Sequence, residues 1–166
     1  MKFEIKHRVT GAVLFALETD SLRLCVEAAV KSGSDLRWSN LSGSDLSGSN
    51  LSGSDLSGSD LVRSNLRGSD LSGAHLHDTH AQKLTLLDDH AVLQIGALGS
   101  RSDYLLAFRT DRGLWLRAGC FWGDLPAFKA AVEQTHGTAK YGDEYRAAVA
   151  FIEAWNATWT DESEAR

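Results

Sequence analysis

Two cysteines, a run of histidines and a recurring set of aspartates are the groups in this chain with the reach to do chemistry. Cys120 lies in Gly119-Cys120-Phe121-Trp122-Gly123, after a strand-like segment and before a helix-like one. A thiol near a helix N-terminus has its pKa lowered, which is what a nucleophilic sulfur requires. The competing reading gives Phe121 and Trp122 a packing role. Cys25 falls among Leu22, Val26, Ala29 and Val30 and reads as a small buried hydrophobe. His75, His77 and His80, with Asp78 between them and His90 beyond, are ligand types that hold zinc or nickel. No Ser/His/Asp order, phosphate loop or dinucleotide fingerprint occurs, and the serines recur too evenly to be nucleophiles. Asp35, Asp45, Asp55, Asp60 and Asp70 recur at multiples of five, which predicts an acidic surface facing another macromolecule.

The elements that must position these groups follow from leucine. Leu36, Leu41, Leu46, Leu51, Leu56, Leu61, Leu66, Leu71 and Leu76 fall every five residues. A five-residue step turns an α-helix by about 500°, so no apolar stripe forms. In a straight strand the step is odd, and alternate leucines would meet water. All nine point inward only if the chain turns a corner about every five residues and stacks on itself. Each corner has its own chemistry: Asp or Asn immediately precedes Leu from Asp35 to Asp70, and glycines such as Gly43, Gly48, Gly53, Gly58, Gly68 and Gly73 follow two residues after it. A flexible Ser/Gly linker would not hold leucine in register nine times.

This pattern resembles the pentapeptide-repeat family, and the resemblance implies a mainly β fold, a right-handed quadrilateral β-helix solenoid of about twenty residues per coil. It places Leu36, Leu56 and Leu76 on one wall, Leu41 and Leu61 on the next, Leu46 and Leu66 on the third, and Leu51 and Leu71 on the fourth. Asp and Asn would then stack outside in rows about 4.8 Å apart. The residue two before Leu, usually Ala in the family, is Ser from Ser34 to Ser69. Each inward hydroxyl needs a hydrogen bond to backbone or to a serine one coil away, or it costs about 1 to 3 kcal/mol. The uniform repeats fit recent duplication and consensus engineering alike. Some long family members resemble duplex DNA and bind type II topoisomerases, which makes a DNA-mimic inhibitor or protector the alternative function. Here the same stretch also holds Arg37, Arg63 and Arg67, and the array is short.

Gly119 to Gly123 is similar to the active-site motif of peptide-methionine sulfoxide reductase, where the cysteine attacks the sulfoxide sulfur. That enzyme carries the motif near the start of a full α/β domain with later resolving cysteines, whereas here about 45 residues follow Cys120. For the histidines, the duller account is that His75 and His80 occupy the outward Asp/Asn positions on adjacent walls as the array ends.

The flanks are expected to cap the array. Residues 1–33 read as a hairpin, with a turn at Thr10-Gly11, and a helix to Lys31 capped by Asp20 or Ser21. Residues 34–91 hold the repeats, regular over 34–78 and irregular over 79–91, where Ala81, Leu86 and Ala91 keep the five-residue phase. Residues 92–166 predict strands at 92–97, 104–109 and 114–118, then a helix started by Asp124 and Pro126 and ended by Gly137. A last helix over 143–158 has Tyr145, Val149, Ile152 and Trp155 on one face. This layout is similar to that of small repeat proteins of bacteriophage and prophage sequences.

A net charge of −5 argues against direct nucleic-acid binding. The longest apolar run, Ala12 to Leu17, is too short to span a bilayer, and charges interrupt any leader-like start. Two distant cysteines fit a reducing cytosol. The sequence therefore predicts a cytoplasmic, non-catalytic scaffold without a cofactor. It would act on an unidentified protein, with a DNA-acting enzyme as the alternative partner, as a monomer or an end-to-end homodimer.

Overall fold

The computed structural model describes residues 1–77 and 82–163, and over these the chain is mainly β with three α-helices. Strands β1 (Lys2–His7) and β2 (Val13–Glu18) form an antiparallel hairpin. Helix α1 (Leu22–Lys31) follows, its first turn capped by Ser21, whose Oγ accepts from the Leu24 amide at 3.2 Å. Cys25, Val26 and Ala29 are buried beneath the first repeats, and Cys25 Sγ donates to the Phe3 carbonyl at 3.6 Å. Burial pushes the Cys25 thiol pKa up, which suits a packing role. The short strand β3 (Ser39–Asn40) joins the repeats to β1, giving a sheet of order β2-β1-β3.

Within the repeats the chain returns on itself every twenty residues. Asn40 bridges Asp60, Asp45 bridges Asn65, Asn50 bridges Asp70 and Asp55 bridges His75, all in parallel. The amides of Leu41, Leu46, Leu51 and Leu56 donate to the carbonyls of Asp60, Asn65, Asp70 and His75 at 2.8 to 2.9 Å. Bridges are isolated because each repeat leaves its extended segment after about two residues to turn the corner. All nine leucines are at most 5% exposed and form one core with Ala74, Leu84 and Leu86. At about 1.5 to 3 kcal/mol each, that burial is the main apolar drive of the segment.

Serine hydroxyls complete the interior. Ser44, Ser54, Ser59, Ser64 and Ser69 each donate to the leucine carbonyl three residues earlier, so the groups that replace alanine satisfy themselves locally. Ser39 and Ser49 are buried too, and their Oγ atoms have no hydrogen-bond partner among the described residues.

The parallel register ends after the ninth leucine. β4 (His75–His77) pairs antiparallel with β5 (Lys83–Thr85), so the chain doubles back where the sequence predicts irregular repeats to continue. Leu86 and Ala91 keep their phase as buried residues, while Ala81 lies outside the described residues. An antiparallel sheet follows in the order β6 (Val92–Leu98), β7 (Asp103–Thr110), β8 (Gly113–Ala118), β9 (Phe121–Asp124). Its two faces divide by strand alternation. Leu106, Phe108 and Trp115 pack on the repeats, and Leu105, Ala107 and Leu116 pack on the two final helices. Gln94 secures the seam, its Oε1 accepting from the Leu66 amide at 2.8 Å.

Helix α2 (Leu125–His136) starts at Asp124, whose Oδ1 accepts from the Ala127 amide at 2.9 Å. Helix α3 (Lys140–Ser163) buries Val149 and Ile152 beside Tyr145 and Trp155, the stripe expected from spacing. On the helix side of the sheet Arg109 is 2% exposed; it bonds both Asp88 oxygens and lies 5.9 Å from the Trp155 ring. No helix among the described residues is long and apolar enough to cross a membrane.

Candidate functional site

On the outer side of the repeats, Asp and Asn are committed first to the backbone. One carboxyl or amide oxygen of Asp35, Asn40, Asp45, Asn50, Asp55, Asp60, Asn65 and Asp70 accepts from the amide two residues on, at 2.9 to 3.2 Å. This turn motif explains why Asp or Asn stands before leucine in the eight repeats from Asp35 to Asp70. Several of the acidic residues are also engaged with other side chains. Arg37 pairs with Asp35, the Asn65 side-chain amide donates to Asp45 at 3.0 Å, and Arg117 approaches Asp60 at 3.9 Å. The Arg37 side chain holds the Asp35 carboxyl at a pKa of about 2, while hydrogen bonds led by the Ser47 hydroxyl lower that of Asp45. Asp55 and Asp70 are half-buried.

Corner positions separate the repeats more sharply. Gly43, Gly48, Gly53, Gly58, Gly68 and Gly73 have φ of 64° to 73°, the left-handed region that suits glycine. At the same position in two repeats stand Trp38 with φ 59° and Arg63 with φ 58°. A side chain there costs about 1 to 2 kcal/mol. Trp38 stands where the hairpin, the repeats and the C-terminal sheet meet, and Arg63 stands where the repeats meet that sheet. The Trp38 ring lies on Gly58, where an added Cβ would come within 2.6 to 2.8 Å of the indole. Arg63 Nε donates to Asp103 at 3.3 Å in a groove that also borders Arg101 and Cys120.

A cavity of about 280 Å³ opens beside Trp38. Its floor is Leu56, Leu61, Leu76 and Phe108, and its walls carry Arg8, Trp38, His77, Arg117 and Trp122. Arg8 follows β1, and its guanidinium donates to the Gly58 carbonyl at 3.1 Å. Arg117 and Trp122 are cross-strand partners, which sets the guanidinium 5.2 Å from the indole centroid. The Trp122 indole donates to the His77 carbonyl at 2.9 Å. Burial lowers the Arg117 pKa from its ordinary value, and the neighbouring positive charge of Arg8 acts in the same direction. The buried Nε of Arg117 has no hydrogen-bond partner among the described residues.

The model for the pentapeptide-repeat family matches residues 32–68 in eight copies. This segment belongs to the pentapeptide-repeat family. No curated protein and no solved structure matches the chain. The cavity stands where the first, fifth, sixth and ninth pentapeptide repeats meet the hairpin and the C-terminal sheet.

Cys120 lies in the turn joining β8 to β9, exposed, four residues before the Asp124 cap. The N-terminus of helix α2 is capped by Asp124, whose Oδ1 accepts from the Ala127 amide. Its neighbour Trp122 turns inward against Phe108 and Trp115, at centroid distances of 5.6 and 5.4 Å. His75 takes the outward Asp/Asn position of the last pentapeptide repeat, and its Nδ1 lies 3.2 Å from Thr85 Oγ1. Burial lowers its pKa. His77 borders the cavity, and His80 and Asp78 lie outside the described residues. Among the described residues, ligand-type atoms converge at Asp88, Asp89 and His90 rather than around His75 and His77. Asp88 is held by Arg109 and the His90 ring stacks on Trp159, so packing accounts for that group.

Arg8, Trp38, Arg117 and Trp122 were not singled out as a site by sequence. A local signal for it exists in one residue: Trp38 stands where most pentapeptide repeats place glycine.

Proposed function

We propose that this chain is a non-catalytic scaffold for protein interaction, in which the pentapeptide repeats close into a right-handed four-sided β-helix. Its recognition surface is the side bearing Trp38 and Arg63. The supporting observation is the left-handed backbone of those two residues. Strain of this kind persists where the surroundings impose it, and it concentrates at functional positions. Repeat-consensus residues, by contrast, are accounted for by structure: leucine fills the core, serine bonds the leucine carbonyl, and Asp or Asn holds the turn.

The acidic rows support a duplex-DNA imitation less well. Asp35 is neutralised by Arg37, Asp45 is tied to Asn65 and Asp60 faces Arg117. Helix α1 lies under the first repeats and the sheet lies over the last, which supports a monomer over end-to-end pairing. Free Cys25 and Cys120 fit work in a reducing compartment such as the cytoplasm.

The test is capture by crosslinking in host cells, comparing the natural chain with Trp38→Gly/Arg63→Gly. The scaffold reading expects a partner enriched by the natural chain and lost with the double variant, at unchanged folding. A partner retained equally by both would move recognition to another face.

A further inference from the structure

The cavity beside Trp38 combines features that the scaffold reading does not require. It is near the lower end of ligand pockets, which begin at about 300 Å³. Its floor is apolar, two indoles and a phenyl ring border it, and two guanidiniums line its walls. In a chain of net charge −5, two arginines facing one partly buried space call for an anion. The carboxylate in reach pairs only loosely: Asp60 lies 3.9 Å from Arg117, an ion pair without a direct hydrogen bond, and its Oδ1 already accepts from the Val62 amide at 3.0 Å. Arg117 Nε is left buried and unsatisfied among the described residues, a condition that native structures normally relieve with a water, an ion or a ligand.

We infer that this cavity binds a planar aromatic carboxylate, its ring on the floor between Trp38, Trp122 and Phe108 and its carboxylate between the guanidiniums of Arg8 and Arg117. Arginine suits this task because its planar fork matches carboxylate geometry and its face stacks on aromatic rings. Trp38 is 46% exposed at the cavity edge and can cover the ring once it is seated. The same chemistry is offered by a free aromatic acid and by the C-terminal aromatic residue of a partner chain.

The experiment is calorimetric titration of the full chain with 2-naphthoate. The comparators are 2-naphthalenemethanol, which keeps the ring and removes the charge, and cyclohexanecarboxylate, which keeps the charge and removes the aromatic face. Saturable 1:1 binding of naphthoate is expected, with each comparator at least tenfold weaker. Arg8→Gln and Arg117→Gln are each expected to weaken naphthoate at least tenfold. Arg8 is exposed, so its variant keeps the test intact if Arg117→Gln fails to fold. A peptide ending in tryptophan that displaces naphthoate, where its C-terminal amide does not, assigns the ligand to a partner terminus; failure to displace it assigns a free acid. Absence of saturable naphthoate binding at millimolar concentration, or equal binding by the Arg8→Gln chain, overturns the inference. None of these readings involves the scaffold's partner, so the two proposals fail separately.

Discussion

Gly58→Ala and Gly48→Ala make the same chemical change at equivalent corners, yet they meet different surroundings. At Gly48 φ is 64° and an added Cβ has nothing within 4 Å, so the cost is the backbone conformation alone, about 1 to 2 kcal/mol. At Gly58 φ is 73° and the Cβ would also meet the Trp38 ring at 2.6 to 2.8 Å. Overpacking of this kind costs about 1 to 3 kcal/mol, and the half-exposed indole, free to swing outward, puts the figure near the lower bound. Gly58→Ala should therefore cost about 1 kcal/mol more than Gly48→Ala, read as the urea midpoint at constant slope. Trp38→Ala removes the obstacle, so in that background the cost of Gly58→Ala should fall back to that of Gly48→Ala. The difference is the pairwise coupling, which a double-mutant cycle isolates. Equal midpoint shifts for the two glycines in the natural chain would refute the placement of Trp38 on Gly58, and with it the wall of the cavity.

Leu51→Ala should cost about 2.7 to 5 kcal/mol in the same assay, since Leu51 is 0% exposed in the centre of the array; a loss under 1 kcal/mol would mean that the leucines do not share a packed core. Ser49→Ala should be neutral or stabilising by about 1 kcal/mol because its buried hydroxyl lacks a partner among the described residues, whereas Ser54→Ala should not stabilise, since its hydroxyl bonds the Leu51 carbonyl. The Asp35 carboxyl should titrate at about 2 by NMR instead of at its ordinary 3.8. A depressed carboxyl pKa favours the folded state above the unfolded value, so this contribution should fade as pH falls from about 4 toward 2. Arg37→Ser should move the titration back upward, and an unchanged value would remove Arg37 as its cause. Gyrase supercoiling should proceed unaffected at tens of micromolar protein, given the neutralised acidic rows; potent inhibition would restore the duplex-imitation reading.

The array was legible because burial of a regularly spaced leucine tolerates few geometries, and because each neighbouring residue has a local duty at the corner. The N-terminal hairpin, its Ser21-capped helix and the Asp124 cap were legible for the same reason, being decided within a few residues. What escaped was decided by distant contacts. Phe121 to Asp124 runs from the Gly119-Cys120 turn straight into helix α2 and shows its strand character only beside Trp115 and Arg117. The reversal of the chain after His77 depends on pairing with Lys83 to Thr85. The cavity draws Arg8, Trp38, Arg117 and Trp122 from four separate segments, so no window of sequence contains it. Only the replacement of a corner glycine by Trp38 leaves a local trace.

Once the partner is captured and purified, its titration against a chain returned to repeat consensus measures the account most directly. That variant carries Arg37→Ser, Trp38→Gly, Val62→Ser, Arg63→Gly and Arg67→Ser, leaving every leucine, inward serine and turn-holding Asp or Asn in place. If the repeats are structural and recognition lies in their departures from consensus, the variant folds at least as stably and binds the partner at least tenfold more weakly. An equally stable variant that binds the partner with the natural chain's affinity would contradict it.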